Sequence, residues 1–370
     1  MSNLYIGVMS GTSLDGVDTV LVEFDKKHCK LHQARTTPYP KEIRTQILRI
    51  IKNPQTSLQE LGELDRVLGI FFSDCITKLL QSSSVKAEKI IGIGHSGHTV
   101  FHKPALPNAF SMQIGDPSTI AAETGITTVA HIRNMDLALG GQGAPLAPAF
   151  HQWQFADPEE TRIVVNIGGI ANISILDPKR PLTGYDTGPG NTLLDNWSLQ
   201  CRKIQFDDKG KWSKTGQINQ SLLSILKNDK YFKIDPPKST GVEYFNLAWL
   251  QKAIKQIEKN ITNEDIQATL TELTASTIAD AIDKTETDPN LVILCGGGAL
   301  NTALKERIAS LLPRSKLDTT DTYGIDPRWV EAVLFAWLAR NRLKNKTGNV
   351  PSVTGARSAA PLGGIYYGQV

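Results

Sequence analysis

The sequence predicts an α/β protein of two domains facing one another across a cleft. Two short apolar strands each run into a glycine-rich polar turn and come back as a second strand: Leu4 to Met9 with Asp18 to Phe24, and Arg162 to Ile167 with Ile170 to Leu176. Helices with apolar residues at helical spacing follow in each half. At 370 residues the chain is long enough for two cores. Similar hairpins at the head of two halves indicate an internal duplication. The boundaries fall at residues 1–135 with 346–370 for the first domain and 136–345 for the second, the Gly140–Pro145 cluster marking the change.

Composition narrows the function classes. Forty basic and 37 acidic residues, mixed along the chain, give a net charge of +3. That balance argues against a nucleic-acid partner or an anionic membrane surface. Cys29, Cys75, Cys201 and Cys295 show no C-x-x-C spacing, so free thiols in a reducing compartment are expected. No run approaches the ~20 apolar residues of a membrane span, and no basic segment leads an apolar one at the N-terminus. The expected location is the cytoplasm.

Taken in order, the turn Ser10–Gly16 offers backbone N–H groups and hydroxyls, with Asp15 and Asp18 beside it. Such a tip can cradle phosphate, while Asp15 or Asp18 holds Mg²⁺ through water. Lys41 to Lys52 carries Ile43, Ile47, Ile50 and Ile51 on one face; the capping box Ser57-x-x-Glu60 opens a second core helix running to about Leu80. Lys89 to Gly94 is a strand. Gly92-x-Gly94-x-x-Gly97 matches a dinucleotide fingerprint, but a β-like run ended by Pro104 follows it instead of a helix, so that reading fails. His95, His98 and His102 fit no metal spacing. Asp116 caps a helix with Pro117 at its first position. Ile126 to Ile132 reads as a strand feeding Arg133, whose fork matches a substrate carboxylate.

In the second half, Thr183–Asn191 places Asp186 among Gly184, Gly188 and Gly190 on a tight loop before a helix bearing Leu193, Leu194 and Trp197. Free N–H groups at that helix end would favour anions and keep Asp186 ionised, ready to accept a proton. Asn290 to Cys295 is a buried strand ending at Gly296-Gly297-Gly298, a backbone able to lie flat against a planar ligand. Asp326-Pro327 starts a last helix with Glu331 in its first turns, and the tail returns to the first domain.

No P-loop occurs. Two hairpins, a third glycine-rich site and a loop aspartate instead match the way actin, sugar kinases and Hsp70 hold ATP, between two ribonuclease H-like domains. Gly11, Thr12, Ser13, Leu14, Asp15, Gly16, Val17 and Asp18 would take the terminal phosphates. Asn166, Gly168, Gly169, Gly188, Gly190 and Asn191 would flank them, and Gly296, Gly297, Gly298 and Asn301 would take the adenosine. Asp186 would face the γ-phosphate.

Met9–Asp18, Gly140–Leu146, Asp186–Asn191, Pro237–Gly241 and Cys295–Ala299, in that order, resemble the anhydro-N-acetylmuramic acid kinase family over essentially the whole chain. The resemblance implies ATP and Mg²⁺ as cofactors, an amino-sugar substrate and a homodimer. It implies phosphorylation of O6 of 1,6-anhydro-N-acetylmuramic acid while water opens the anhydro bridge, in murein recycling. Asp186 matches the family's general base. Ser13, Gly97, Thr99, Arg133 and Glu331 match its sugar pocket, with Arg133 on the lactyl carboxylate. The chain departs from the family at Ser96-Gly97-His98-Thr99, usually His-Gly-Gln-Thr, and at His131-Ile132-Arg133, usually Asp-Phe-Arg. Two other readings fit the same architecture: an amino-sugar kinase that does not consume water, and a sugar- or nucleotide-binding protein without turnover.

Overall fold

The structure, a computed structural model, describes residues 3–11, 14–26, 28–53, 55–104, 107–257, 260–285 and 287–369. Thr12 and Ser13, both expected at the phosphates, lie outside the described residues. In chain order the elements are β1 (Leu4–Ser10), β2 (Gly16–Phe24), β3 (Cys29–Pro38), α1 (Lys41–Lys52), α2 (Leu58–Ser83), β4 (Ile90–His95), β5 (His98–Lys103), β6 (Phe110–Ile114), α3 (Pro117–Thr124), β7 (Thr128–Ala130), α4 (Ile132–Ala138) and α5 (Ala147–Phe155). Then come β8 (Arg162–Ile167), β9 (Ile170–Leu176), β10 (Thr183–Pro189), α6 (Asn191–Arg202), α7 (Gln220–Lys227), α8 (Leu247–Ile254), α9 (Asn263–Asp283), β11 (Leu291–Cys295), α10 (Thr302–Leu311) and β12 (Lys316–Thr319). The chain finishes with α11 (Val330–Leu343), α12 (Pro351–Thr354) and β13 (Gly364–Tyr366).

The chain divides into two compact units, Met1–Gln154 with Trp329–Val370, and Phe155–Arg328. In unit 1 the sheet order is β13-β7-β4-β1-β2-β3, with β1, β2 and β3 antiparallel and β1, β4 and β7 parallel. In unit 2 the order is β10-β9-β8-β11-β12, again three antiparallel strands followed by two parallel additions. The duplication read from two hairpins therefore extends to five strands in each unit. Unit 1 adds β13, antiparallel to β7, so the tail does return to the first sheet.

The unit boundaries differ from those drawn on the sequence, at 154/155 and 328/329 instead of 135/136 and 345/346. The reason is close packing of α11 on unit 1. A Cβ on Gly7 of β1 would come within 1.9 Å of the Ala332 carbonyl oxygen, and one on Gly94 of β4 within 1.9 Å of that of Phe335. Only bare backbone lets the helix rest on these two strands. The core of unit 1 joins Ile6, Val8, Leu21 and Ile93 to Leu68, Phe72 and Ile76 of α2. In unit 2, α9 is buried along most of its length. It packs on the sheet through Ala275 and Ile278 and on α6, α7 and α8 through Ile266, Leu270 and Leu273.

Two local expectations are corrected. The strand expected over Ile126 to Ile132 is only Thr128–Ala130, because His131 takes a left-handed conformation (φ 54°) and α4 starts at Ile132. The segment Thr183–Pro189 is a strand and not a loop.

Candidate active site

Asp186 sits on β10, opposite Asn172 of β9, at an irregularity in the ladder between Asp186 and Gly188. Strand alternation turns Tyr185 and Thr187 into the core and Asp186 to the other face. One carboxylate oxygen, Oδ2, accepts the Thr240 N–H at 2.9 Å. The Asp186 N–H donates to the Lys238 carbonyl at 3.2 Å, and the Tyr231 hydroxyl donates to the Asp186 carbonyl at 2.7 Å. Three groups from 231–240 thus fix both backbone and side chain, while Oδ1 takes no hydrogen bond from the described residues. Burial pushes the carboxyl up to about 6, against the Thr240 N–H that favours the charged form.

This revises the expectation that a helix end keeps Asp186 low. The N–H groups of Gly190 and Asn191 donate to the carbonyls of Gly169 (2.9 Å) and Gly168 (2.8 Å), and that of Thr192 donates to Gly169 (3.1 Å). The start of α6 is spent on stitching the second hairpin to the helix, with Thr274 of α9 holding the Pro189 and Gly190 carbonyls at 3.1 Å. The Asn191 side chain serves the same joint, donating to the Ile167 carbonyl at 3.1 Å.

The triple glycine also has a packing role. Gly296 has φ +80°, and a Cβ there would lie 2.5 Å from Asn166 Oδ1; on Gly298 it would lie 2.3 Å from Ile167 Cγ2. Both glycines let the turn lie against the end of β8. Of the three, only Gly297 has room for a Cβ, which would meet Asn191 Nδ2 at an ordinary contact distance of 3.7 Å. Asn301 caps α10, accepting from the Leu304 N–H at 3.2 Å. Beyond this turn Leu300, Thr302, Lys305, Asp321 and Pro327 line a pocket of about 240 Å³.

In unit 1 the first hairpin joins β1 to β2. Leu14 (φ 56°) donates its N–H to the Gly11 carbonyl at 3.2 Å, and its side chain, like that of Val17, is in the core. Neither side chain is available to a nucleotide. Gly16 starts β2 tight against β3: a Cβ there would lie 2.9 Å from the Thr37 carbonyl oxygen. Asp15 is exposed; Asp18 is half-buried and accepts the Thr36 hydroxyl at 2.7 Å.

Arg133 lies in the first turn of α4 and donates to the Gly143 carbonyl at 2.7 Å. Burial lowers its pKa, opposed by the charge of Glu331, which places those two expected residues near one another. Asp136, one turn on, completes the grip. It is fully buried and accepts the Gly143 N–H (2.8 Å), the Asn349 amide (2.6 Å) and the Thr354 hydroxyl (2.7 Å). Arg133 and Asp136 thus hold the carbonyl and the N–H of one glycine. The other expected residues of unit 1, Gly97 and Thr99, stand in the turn between β4 and β5 and on β5, where Thr99 accepts from Gln113 at 3.2 Å.

Sequence reading missed Asp136, Tyr231 and Thr240. For Thr240 a signal existed, in the Pro237–Gly241 run; Asp136 follows Arg133 by one helical turn, a spacing legible only once α4 is known to be a helix.

The doubled topology, three antiparallel strands followed by two parallel ones in each unit, is that of the actin and sugar kinase type. The anhydro-N-acetylmuramic acid kinase family model matches residues 3–368, and the chain belongs to that family. It is 49% identical to the anhydro-N-acetylmuramic acid kinase of Pasteurella multocida (strain Pm70), across 98% of this chain and 96% of that one. It is 46% identical to the enzyme of the same name from Coxiella burnetii (strain Dugway 5J108-111), across 99% and 98%. Among solved structures it is similar to an activator of 2-hydroxyisocaproyl-CoA dehydratase from Clostridium difficile with bound ADPNP, at 14% identity and a TM-score of 0.47, covering 92% of this chain and 96% of that one.

Proposed function

We propose that this kinase uses ATP to phosphorylate O6 of 1,6-anhydro-N-acetylmuramic acid while water opens the anhydro bridge, giving N-acetylmuramic acid 6-phosphate and ADP, with Asp186 as the general base. The observation that carries the proposal is the Asp186 carboxylate, with one oxygen held by Thr240 and its pKa raised to about 6. A base is most effective when its pKa lies just below the working pH, so that it is ionised yet still basic. Asp186 takes a proton from water as the water oxygen bonds to the anomeric carbon. The C1–O6 bond breaks, O6 bonds to the γ-phosphorus, and the bond from that phosphorus to the β-phosphate oxygen breaks. Clamping by Tyr231, Lys238 and Thr240 keeps the carboxylate in place for this step.

We assign the phosphates to the backbone of the first hairpin and the sugar to Arg133 and Glu331, with Arg133's remaining N–H groups meeting the lactyl carboxylate. Mg²⁺, when bound, offsets the charge on the phosphates. Asp18 fits a carboxylate that reaches a hydrated ion, and among the described residues no three His, Cys, Asp or Glu side chains form a closed cage. A cytoplasmic homodimer in murein recycling completes the proposal. Four free thiols support the reducing compartment, and among the described residues no helix is long and apolar enough to cross a membrane.

The test is the pH dependence of kcat/KM. Activity should rise with pH through an apparent pKa of about 6, the value of the free enzyme's base. A profile flat from pH 5 to 8 would remove Asp186 from the role.

A further inference from the structure

Ser10 ends β1 and immediately precedes the turn of the first hairpin. It is 6% exposed, and three partners hold it. Its hydroxyl lies 2.6 Å from the Tyr39 hydroxyl and 2.7 Å from His98 Nδ1, and its N–H donates to the Ser96 hydroxyl at 3.0 Å. Ser96 in turn donates its N–H to the Val8 carbonyl at 3.0 Å and its hydroxyl to the Gly97 carbonyl at 2.7 Å. His98 is wholly buried, lies edge-on to Tyr39 with ring centroids 6.3 Å apart, and has no hydrogen-bond partner on Nε2 among the described residues. Among those residues, the only hydrogen bond of its ring is therefore to Ser10.

We propose that His98 is a positioning residue for phosphoryl transfer. Acting through Ser10, and together with Ser96, it fixes the root of the first hairpin against the segment that carries Gly97 and Thr99. The hairpin's turn and the 97–99 segment then share one anchor, so that nucleotide and sugar contacts in unit 1 are set in register by a single serine. Burial keeps the imidazole neutral at working pH, its pKa lowered to about 4, so the anchor is a neutral chain of hydrogen bonds. A glutamine side chain, which also accepts and donates without charge, can replace it in kind; a leucine cannot.

The role rests on the reading that the first hairpin binds ATP. The test is the KM for ATP and the affinity for a non-hydrolysable ATP analogue with Mg²⁺, per folded protein, in wild type, Ser10→Ala, His98→Leu, His98→Gln and the Ser10→Ala/His98→Leu pair. His98→Leu should raise the KM for ATP about five-fold, the effect of one lost hydrogen bond. His98→Gln should restore it, and the double variant should be no worse than Ser10→Ala. If His98→Leu does not fold, Ser10→Ala carries the same expectation. A wild-type KM for ATP in either single variant, or losses that multiply in the double, overturns the role. Absence of analogue binding by the wild type would sink the phosphate reading itself, and this role with it.

Discussion

Asp186→Asn should lose turnover and gain stability. Proton abstraction by a positioned carboxylate is worth ~10²–10⁴-fold, so kcat should fall by that factor. The amide still accepts the Thr240 N–H, so the strand and its clamp survive. The stability gain follows from the raised pKa. An acid whose folded pKa (about 6) exceeds its ordinary 3.8 binds its proton more tightly when folded. Its stabilising effect is therefore complete below 3.8 and lost as pH rises through 6. At pH 7.5 the ionised carboxylate then costs about 2 kcal/mol, allowing for its partial solvent access. Removing the charge should raise the melting temperature by about 4–8 °C at pH 7.5, and by about half as much at pH 5. Differential scanning calorimetry of both proteins at the two pH values measures this. A variant with wild-type kcat, or one that is inactive because it is less stable, contradicts the account of the site.

Acid should unfold unit 1 before unit 2. His95, His98 and His151 are buried in unit 1, and burial lowers their pKa values to about 4, about 4 and about 3. The hydrogen bonds of His95 fix it as a neutral ring that donates from Nε2 to the Gly115 carbonyl (3.0 Å) and accepts the Gly97 N–H at Nδ1 (3.3 Å). A group that resists protonation when folded loses stability as pH falls through its unfolded value of 6.5, and goes on losing until its folded pKa is reached. By pH 5 each histidine has cost about 2 kcal/mol, about 6 kcal/mol for the three, comparable with the whole stability of a domain. Asp65, its pKa raised by burial, offsets part of this within unit 1. Unit 2 moves the other way over the same range, since protonating Asp186 stabilises it. Hydrogen exchange followed by mass spectrometry from pH 7 to 4.5 should show 1–154 and 329–370 opening while 155–328 stays protected. Simultaneous opening of both units, or unit 2 first, refutes the assignment.

Much of the scaffold was legible from local pattern. The two glycine-turned hairpins, the Ser57 cap of α2, with the Ser57 hydroxyl accepting the Glu60 N–H at 3.1 Å, and the Asp116-Pro117 start of α3 stand where the residues placed them. These features depend on near neighbours in the chain. What escaped depends on distant ones. β3 alternates few apolar residues because it is a sheet edge, and nothing in Lys30 to Thr37 announces a strand. Thr183–Pro189 has the composition of a turn, yet it is held extended by a ladder to β9. The elevated pKa of Asp186 arises from burial on a face that Tyr231 and the 238–240 segment help to build, some fifty residues away in sequence. Gly296 and Gly298, two of the three glycines expected at the adenosine, are also required by close packing on Asn166 and Ile167, far away in the chain.

The central claim is that a water activated by Asp186 enters the sugar as the phosphoryl group leaves ATP. It is tested most directly by mass spectrometry of the product formed from 1,6-anhydro-N-acetylmuramic acid and Mg-ATP in H₂¹⁸O, read at early times against an unlabelled product standard in the same water. The account predicts one ¹⁸O in the sugar, at the anomeric carbon and above exchange in the standard, with none in the transferred phosphate. A phosphorylated sugar that keeps its anhydro bridge, or label in the phosphate instead of the sugar, would contradict it.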